Sequence, residues 1–266
     1  MHSRQEKIEA IGRVIDVLER LRTDCPWDRV QTNLSLRSNT IEEVYELADA
    51  LIAEDDANIR KELGDVLLHV LFYSKIGEEK EAFDIVDVCD ALNAKLIYRH
   101  PHVFGQVKAD DAATVMDNWE ALKLKEKDGN KTVLGGVPSS LPALIKAFRI
   151  QEKAAHVGFD WENREDVWDK LLEELAEFRA EAICGDKDAM EAEMGDIFFA
   201  LINAARLYDI NPENALERTN RKFISRFNHV ESRAKEQGLS LKDMTLAQMD
   251  KFWDEAKKLE KGEADA

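Results

Sequence analysis

The chain has 266 residues, of which 44% are hydrophobic and 34% charged, as is typical of a globular protein that is long enough for two domains. Its formal net charge of −17 at pH 7 argues against nonspecific nucleic-acid binding. The three cysteines, which lie far apart without CxxC spacing, argue against a disulfide framework and a zinc site. No segment approaches the ~20 apolar residues that span a bilayer, so we expect no membrane association and a cytoplasmic location.

Apolar side chains recur at helical spacing along most of the chain. The pattern predicts a turn at 25–28 (CPWD) and then amphipathic helices from 41–53 onward, which recur in the second half after a similar turn at 158–161. We therefore predict an all-α fold of two tandem, duplicated, antiparallel helical-bundle domains. Glycines and prolines concentrate between the halves. The predicted segments are an N-terminal domain at 1–125, a linker at 126–142 and a C-terminal domain at 143–266.

Five acidic residues occur twice in the same order, and each pair is separated by 131 positions. The first copy consists of Glu42, Glu43, Glu46, Glu62 and Asp65, and the second of Glu173, Glu174, Glu177, Glu193 and Asp196. Cationic and aromatic residues downstream also recur: Asn93, Lys95, Arg99 and His102 return as Asn220, Lys222, Arg226 and His229, and Trp119, Glu120 and Lys123 return as Trp253, Asp254 and Lys257. Such a repeat predicts a duplicated architecture.

The acidic pairs point to a metal site. Residues three apart on a helix share one face, so two antiparallel helices could direct four carboxylates into one space. Such like charges repel each other unless a hard cation compensates them, and ligand sets made only of oxygen favour Mg²⁺ or Mn²⁺ over zinc. The predicted ligands are Glu174, Glu177, Glu193 and Asp196 in the second copy and Glu43, Glu46, Glu62 and Asp65 in the first.

Two alternatives to this metal site remain open. A solvated acidic face is the common explanation for a single Glu pair, but these acids lie beside the apolar stripe and occur twice. A di-iron bundle would need Glu-x-x-His pairs, whereas both copies have Glu-x-x-Asp. His69 follows Asp65 by one turn, but its counterpart in the second copy is Ala200.

The repeated cations suggest phosphate binding. Lys222 and Arg226 lie four residues apart on a predicted helix and could hold phosphates, although a surface pair bonded to nearby acids is the simpler alternative. Trp253 and Lys257, also one turn apart, would suit a base and a phosphate, and a buried core Trp is the alternative.

Several motifs together resemble the MazG family of nucleoside triphosphate pyrophosphohydrolases in its two-domain bacterial form. They are CPWD at 25–28, EEVYE at 42–46, ELGD at 62–65, RHPHVFG at 99–105, VGFDW at 157–161, EAEMGD at 191–196 and NRKFISRF at 220–227. The resemblance covers nearly the whole chain. It implies Mg²⁺-dependent hydrolysis of a nucleoside triphosphate to its monophosphate and pyrophosphate by a homodimer.

The resemblance also implies roles for individual residues. Metal ligands fall on Glu174, Glu177, Glu193 and Asp196, and substrate contacts fall on Lys170, Lys222, Arg226 and Trp253. Glu173 would orient or deprotonate the attacking water. Lys170 corresponds to Asn39 in the first copy, so we expect the C-terminal domain to be the main catalyst. A noncatalytic acidic scaffold that binds metal or a partner protein is the alternative function, and a dUTPase-like preference for one base is an alternative within the enzyme class.

Overall fold

A computed structural model of the protein describes residues 1–107, 111, 114, 115, 119, 122, 123, 132–260 and 262. Throughout this part of the chain, the regular secondary structure is helical and contains no strand, which confirms the predicted all-α class. None of these helices is both long enough and apolar enough to cross a membrane. Glu120 and residues 126–131 of the predicted linker lie outside the described residues.

The chain divides into two compact units, unit 1 at 1–123 and unit 2 at 124–266. The domain boundaries predicted from the sequence stay a prediction. The described helices of unit 1 are α1 (Arg4–Asp24), α2 (Asn33–Ile52), α3 (Asp56–Glu79), α4 (Ile85–Arg99) and the short α5 (Pro101–Phe104). Those of unit 2 are α6 (Ala143–Ala155), α7 (Asp166–Cys184), α8 (Lys187–Leu207), α9 (Pro212–Glu236) and α10 (Leu246–Glu260).

Each unit is built around a helical hairpin. In unit 1, α2 packs against α3 across the connection 53–55, and in unit 2, α7 packs against α8 across the connection 185–186. Such short connections require neighbouring helices to run antiparallel. Gly185, at φ 79°, ends α7 in the left-handed conformation that favours glycine, and the Asp186 side chain accepts backbone N–H bonds to start α8.

Each unit contains a cluster of buried apolar side chains. The main cluster of unit 1 joins α1, α2 and α3 through Leu18, Leu36, Leu71, Phe72 and Ile76. In unit 2, Val230, Ala234 and Phe252 form a cluster between α9 and α10. The helix α6 packs against α8 and α9. The hairpin α7–α8 is therefore flanked by α6, and this arrangement positions the site described below.

A buried guanidinium ties α1 to α3 in unit 1. The Arg22 side chain is 8% exposed, and its Nε donates to Glu79 Oε1 at 2.8 Å. Arg22 also donates to the backbone oxygens of Asp28 and Gln31. The hydrogen bond from Arg22 holds the pKa of Glu79 below its ordinary value. The ion pair therefore stabilises unit 1 when Glu79 is ionised.

Glu79→Gln is expected to lower the stability of unit 1 at pH 7. Because Glu79 is 38% exposed, solvent screening limits the expected loss to about 1 kcal/mol. The pKa of Glu79 is depressed on folding, so its contribution is complete above the ordinary glutamate value of 4.5 and disappears as the pH falls through the folded pKa. Thermal unfolding should thus show a difference at pH 7 that narrows in acid. Exposed Glu231→Gln is the control, and a difference that is constant with pH would contradict the assignment.

Candidate active site

Three carboxylates of unit 2 converge between α7 and α8. Glu174 and Glu177 lie one turn apart on α7, and Glu193 lies on α8. One carboxylate oxygen from each residue lies within 4.8 Å of those of the other two. Glu174 is only 6% exposed, so little water is available to stabilise its charge. Three of the four metal ligands predicted for this unit therefore meet in one place, named here the unit 2 carboxylate group.

Lys170 faces this group from the preceding turn of α7. Its ammonium lies 2.8 Å from Glu173 Oε1 and 2.8 Å from Glu174 Oε1. These hydrogen bonds, first to Glu173 and then to Glu174, raise the pKa of Lys170 well above its usual range. An ammonium has three N–H donors, so two contacts leave one donor for a further acceptor such as a phosphate oxygen.

The clustered negative charge affects the pKa of Glu177. Partial desolvation, followed by the charges of Glu174, Glu193 and Glu173, raises the pKa of this carboxyl group. Like charges at short range disfavour ionisation, and a cation among them would reverse that effect. The group therefore has the electrostatic character expected of a metal site.

Asp196, the fourth predicted ligand of unit 2, is not a member of this converging group. It is exposed, and it lines a neighbouring cleft together with Lys170 and Glu174. Glu173, the predicted water-orienting residue, is also exposed and is paired with Lys170. The structure thus places both residues beside the group, and their roles stay predictions.

Unit 1 repeats the arrangement with a different buried member. Oxygens of Glu43, Glu62 and Asp65 lie within 4.8 Å of one another. Glu62 is 5% exposed, and its Oε2 is buried without a hydrogen-bond partner, whereas Oε1 accepts from Lys61 at 2.8 Å. Burial, followed by the charges of Asp65, Glu46 and Glu62, raises the pKa of Glu43. Glu46 lies outside the converging group and 3.9 Å from Lys61.

Lys61 gives unit 1 a cation that the sequence analysis missed. Lys170 corresponds to Asn39, so the first copy lacks the counterpart of that cation. Lys61 instead reaches the carboxylates from α3, at a position where unit 2 has Ala192. The sequence signal that could have revealed this cation was Lys61 itself, which directly precedes Glu62. The missing counterpart of Lys170 therefore does not by itself distinguish the two units.

A cleft of about 670 Å³ adjoins the unit 2 carboxylate group. It is bounded by α6, α7, α8 and the loop 156–165, and Glu174 belongs to both its wall and the carboxylate group. Most of the wall is apolar, including Ile150, Phe159, Trp161, Val167, Phe199 and Ala200. Leu134, from the segment predicted to be a linker, also lines the cleft. A concave, largely apolar wall beside a few charged groups is typical of a small-molecule site.

In unit 1, larger side chains stand at the positions that correspond to part of this wall. In the register of the repeat, His69 and Phe72 take the places of Ala200 and Asn203. His69 is 8% and Phe72 2% exposed, and the Arg22 guanidinium lies 5.3 Å from the centre of the Phe72 ring. His69 Nδ1 is 3.0 Å from Thr40 Oγ1. Packed core therefore occupies the place of the cleft.

The predicted substrate cations other than Lys170 form a separate patch on α9 and α10. The Arg226 guanidinium lies 5.6 Å from the centre of the Trp253 ring and donates to Glu260 at 3.0 and 2.6 Å. Lys222 contributes to a lowered pKa of Glu260, after the hydrogen bond and the charge of Arg226. Lys257 donates to Asp254 at 3.1 Å. Within the described part of unit 2, none of Lys222, Arg226, Trp253 and Lys257 lines the cleft.

The stacking of a cation on tryptophan recurs in unit 1. Arg99 lies 5.3 Å and Lys123 3.9 Å from the centre of the Trp119 ring. Arg226 and Trp253 make the corresponding contact in unit 2. The sequence repeat of these residues is thus a repeat of a physical contact. The Trp253 side chain is half-buried, and the centre of its ring lies 5.0 Å from the centre of the Phe223 ring. This packing agrees with the alternative in which Trp253 is a core residue.

The chain matches the MazG nucleotide pyrophosphohydrolase domain twice, at residues 31–104 and 162–231. It is 41% identical to the nucleoside triphosphate pyrophosphohydrolase/pyrophosphatase MazG of Thermotoga maritima, over 92% of this chain and 94% of that protein. It is 39% identical to the nucleoside triphosphate pyrophosphohydrolase of Escherichia coli, over 94% of this chain and 98% of that protein. A Bacillus subtilis protein named YabN is 49% identical over 89% of this chain, a match that covers 49% of YabN.

The double match confirms the tandem duplication predicted from the sequence, because each matched segment contains one of the two carboxylate groups. The two relatives matched over nearly their whole length carry the enzyme name that the resemblance implied. The chain belongs to the MazG nucleotide pyrophosphohydrolase family.

Proposed function

We propose that this chain hydrolyses nucleoside triphosphates to the monophosphate and pyrophosphate with a divalent cation, mainly at the unit 2 carboxylate group. The family match and the names of its relatives support the reaction. The observation that favours unit 2 is the cleft beside Glu174, which offers space for the nucleoside part of a substrate. In unit 1 the corresponding positions hold buried His69 and Phe72.

The residues fit a hard divalent cation. Glu174, Glu177 and Glu193 supply three carboxylate oxygens within 4.8 Å of one another, and no histidine or cysteine belongs to this group. Mg²⁺ prefers oxygen ligands and is usually held by a few carboxylates together with substrate phosphates, and Mn²⁺ accepts a similar set. The bound cation would neutralise the triphosphate and lower the pKa of the attacking water. Asp196, one turn after Glu193 on α8 and on the wall of the adjoining cleft, is the proposed fourth ligand.

The chain's own residues supply positioning and proton transfer. Lys170, held by Glu173 and Glu174, has a remaining N–H donor for a phosphate oxygen. Water attacks the α-phosphorus, the bond from that phosphorus to the bridging oxygen breaks, and pyrophosphate leaves. Glu173 accepts the proton that the water releases, and it is the exposed carboxylate next to this lysine.

The first test compares equivalent glutamates of the two units. Glu193→Gln should reduce pyrophosphate release from a deoxynucleoside triphosphate by at least about 100-fold, because it removes a charge that holds the cation. Glu62→Gln should change turnover by less than about threefold, because buried His69 and Phe72 stand in unit 1 where Ala200 and Asn203 line the cleft of unit 2. Loss of turnover in Glu62→Gln with normal turnover in Glu193→Gln would assign catalysis to unit 1 instead.

The second test measures the cation directly. Titration calorimetry should detect Mg²⁺ or Mn²⁺ uptake by the intact chain. Glu174→Gln combined with Glu177→Gln should weaken uptake by unit 2 by at least about tenfold, because two of the three converging charges are removed. Exposed Glu191→Gln on α8 is the matched control and should bind as the parent does. Equal uptake by all three proteins would exclude these residues as ligands.

We also propose that the chain forms a homodimer. The helices of the α7–α8 hairpin expose large apolar side chains, including Leu172 at 64% and Phe198 at 58% exposure. Apolar surface of this kind on paired helices favours association. The cytoplasmic location and the absence of nucleic-acid binding that the sequence predicts stay predictions.

Light scattering should give twice the chain mass for the parent. Phe198→Asp should shift the protein toward the single-chain mass, because a charge on an apolar contact surface must be desolvated to remain there. Glu231→Asp, an exposed change on α9, should leave the mass unchanged. A parent that stays at the single-chain mass at every concentration would refute the dimer.

A further inference from the structure

The loop 156–165, which bounds one side of the cleft in unit 2, contains no buried residue. Every residue of this loop is exposed, including two aromatic residues on the cleft wall, Phe159 at 82% and Trp161 at 39% exposure. A loop that buries so little apolar surface gains little stability from the hydrophobic effect. Its conformation therefore depends on polar contacts with the rest of unit 2.

An arginine of α8 holds the middle of this loop. Arg206 Nη1 donates to Asp160 Oδ2 at 3.0 Å, and Nη2 donates to Asp160 Oδ1, so the guanidinium binds both oxygens of the carboxylate. Such a two-point ion pair fixes direction as well as distance. The side chains of Arg206 and Asp160 are 14% and 30% exposed, so water screens the pair only in part. We name this pair the loop latch.

Both partners of the loop latch have further contacts. Asn203 Oδ1 accepts from Arg206 Nε at 3.0 Å and from Nη2 at 2.8 Å, so each guanidinium nitrogen has a partner on α8 or on the loop. Asp160 Oδ1 also accepts the backbone N–H of Trp161 at 2.9 Å. The helix that presents Arg206 also carries Glu193. The loop latch therefore places the loop relative to the helix that contributes to the unit 2 carboxylate group.

Other contacts fix the two ends of the loop. At its end, Tyr208 donates its hydroxyl to the Glu165 carboxylate, with oxygens at 3.0 and 3.1 Å, and accepts from Trp168 Nε1 at 3.0 Å. At its start, the backbone N–H of Phe159 donates to the backbone oxygen of Ala154 at 3.0 Å. Between these ends, the loop latch is the side-chain contact that joins the loop to α8.

Unit 1 differs at the positions that form these contacts. In the register of the repeat, Lys75 takes the place of Arg206, and Gly77 takes the place of Tyr208. The Lys75 ammonium lies 3.3 Å from Glu19 on α1 and 3.0 Å from Glu78 on α3. Lys75 thus joins two helices, whereas Arg206 joins a helix to a loop. The loop latch occurs in the unit that has the open cleft.

We infer that Arg206 and Asp160 are positioning residues for the proposed reaction, because their ion pair holds the loop 156–165 in place as a wall of the occupied cleft. This inference rests on the proposed function, in which the substrate enters that cleft. Without the ion pair, the substrate must order the loop when it binds, and this ordering costs affinity. The carboxylate group is unchanged, so the chemical step after binding keeps its rate.

Hydrogen exchange followed by mass spectrometry tests the loop itself. In Arg206→Ala, the segment 156–165 should exchange at least about threefold faster than in the parent, because the loop loses its side-chain contact with α8. The segment 171–183 of α7 should exchange as in the parent. Lys75→Ala, at the equivalent position of unit 1, is the matched control and should leave the loop unchanged. Parental exchange of the loop in Arg206→Ala would overturn the inference.

Steady-state kinetics separate binding from chemistry. Arg206→Ala and Asp160→Ala should each raise the KM for a deoxynucleoside triphosphate by about tenfold and change kcat by less than about twofold. The double variant should have the KM of either single variant, because both substitutions break one contact. Arg206→Lys keeps the charge but loses the planar fork, so its KM should lie between those of the parent and Arg206→Ala.

A direct contact between Arg206 and the substrate would give a different pattern. Asp160→Ala would then keep the parental KM while Arg206→Ala raised it, or the effects of the two substitutions would add in the double variant. Either result would show that Arg206 does not act through the loop and would overturn the inference.

Calorimetry in Mg²⁺ keeps the inference separate from the proposed reaction. The probes are the α,β-methylene analogues of the deoxynucleoside triphosphates, which resist cleavage, and inorganic pyrophosphate. Arg206→Ala should weaken the tightest analogue by about tenfold and pyrophosphate by less than about twofold, because pyrophosphate has no part that extends to the loop. Equal weakening of both probes would indicate a general disturbance of unit 2 and would overturn the inference.

The outcomes for the loop latch and for the reaction are distinct. If the parent binds an analogue in an Arg206-dependent way but releases no pyrophosphate from natural nucleotides, the loop latch stands and the proposed reaction fails. If the parent releases pyrophosphate but Arg206→Ala binds every analogue as the parent does, the reaction stands and the inference fails. A parent that binds neither the analogues nor pyrophosphate would overturn both.

Discussion

The packing of two antiparallel helices that concentrate negative charge is the constraint on which each unit depends. In unit 2, Glu174, Glu177 and Glu193 approach within 4.8 Å, and Lys170 offsets part of their charge. The raised pKa of Glu177 shows that this compensation is incomplete. The hairpin tolerates such repulsion because α8 also buries the apolar residues Ile197, Ala200, Ile202 and Ala204. The stability of the hairpin and the strength of its cation site therefore oppose each other.

Much of this arrangement could be predicted from the sequence, because helical periodicity and the spacing of the acids are local properties. Three residues on a helix hairpin meet wherever the two helices pack in register, and Glu43, Glu62 and Asp65 do so as well. Which acid becomes buried could not be predicted. Unit 2 buries Glu174, whereas unit 1 buries Glu62, and these two positions are not equivalent in the repeat. Burial depends on packing around each hairpin, which spacing within it does not reveal.

The cleft could not be predicted because its space is created by small residues where larger side chains could stand. Ala200 and Ala154 carry no chemical signal in a sequence, and only their position beside Glu174 gives them meaning. Lys61 shows the same limit, since its contact with Glu62 lies outside the repeat.

The two units show how one architecture can keep or lose a ligand space. Unit 1 fills the corresponding positions with His69 and Phe72, and Arg22 packs against the Phe72 ring. These three side chains are held by contacts of their own. Arg22 is fixed by Glu79 and Phe72 is part of the core cluster. Replacing His69 alone by alanine would therefore leave the other two in place, and the space would remain largely closed. Several coupled substitutions separate the packed unit from the open one, so a unit of one kind does not convert into the other through a single change.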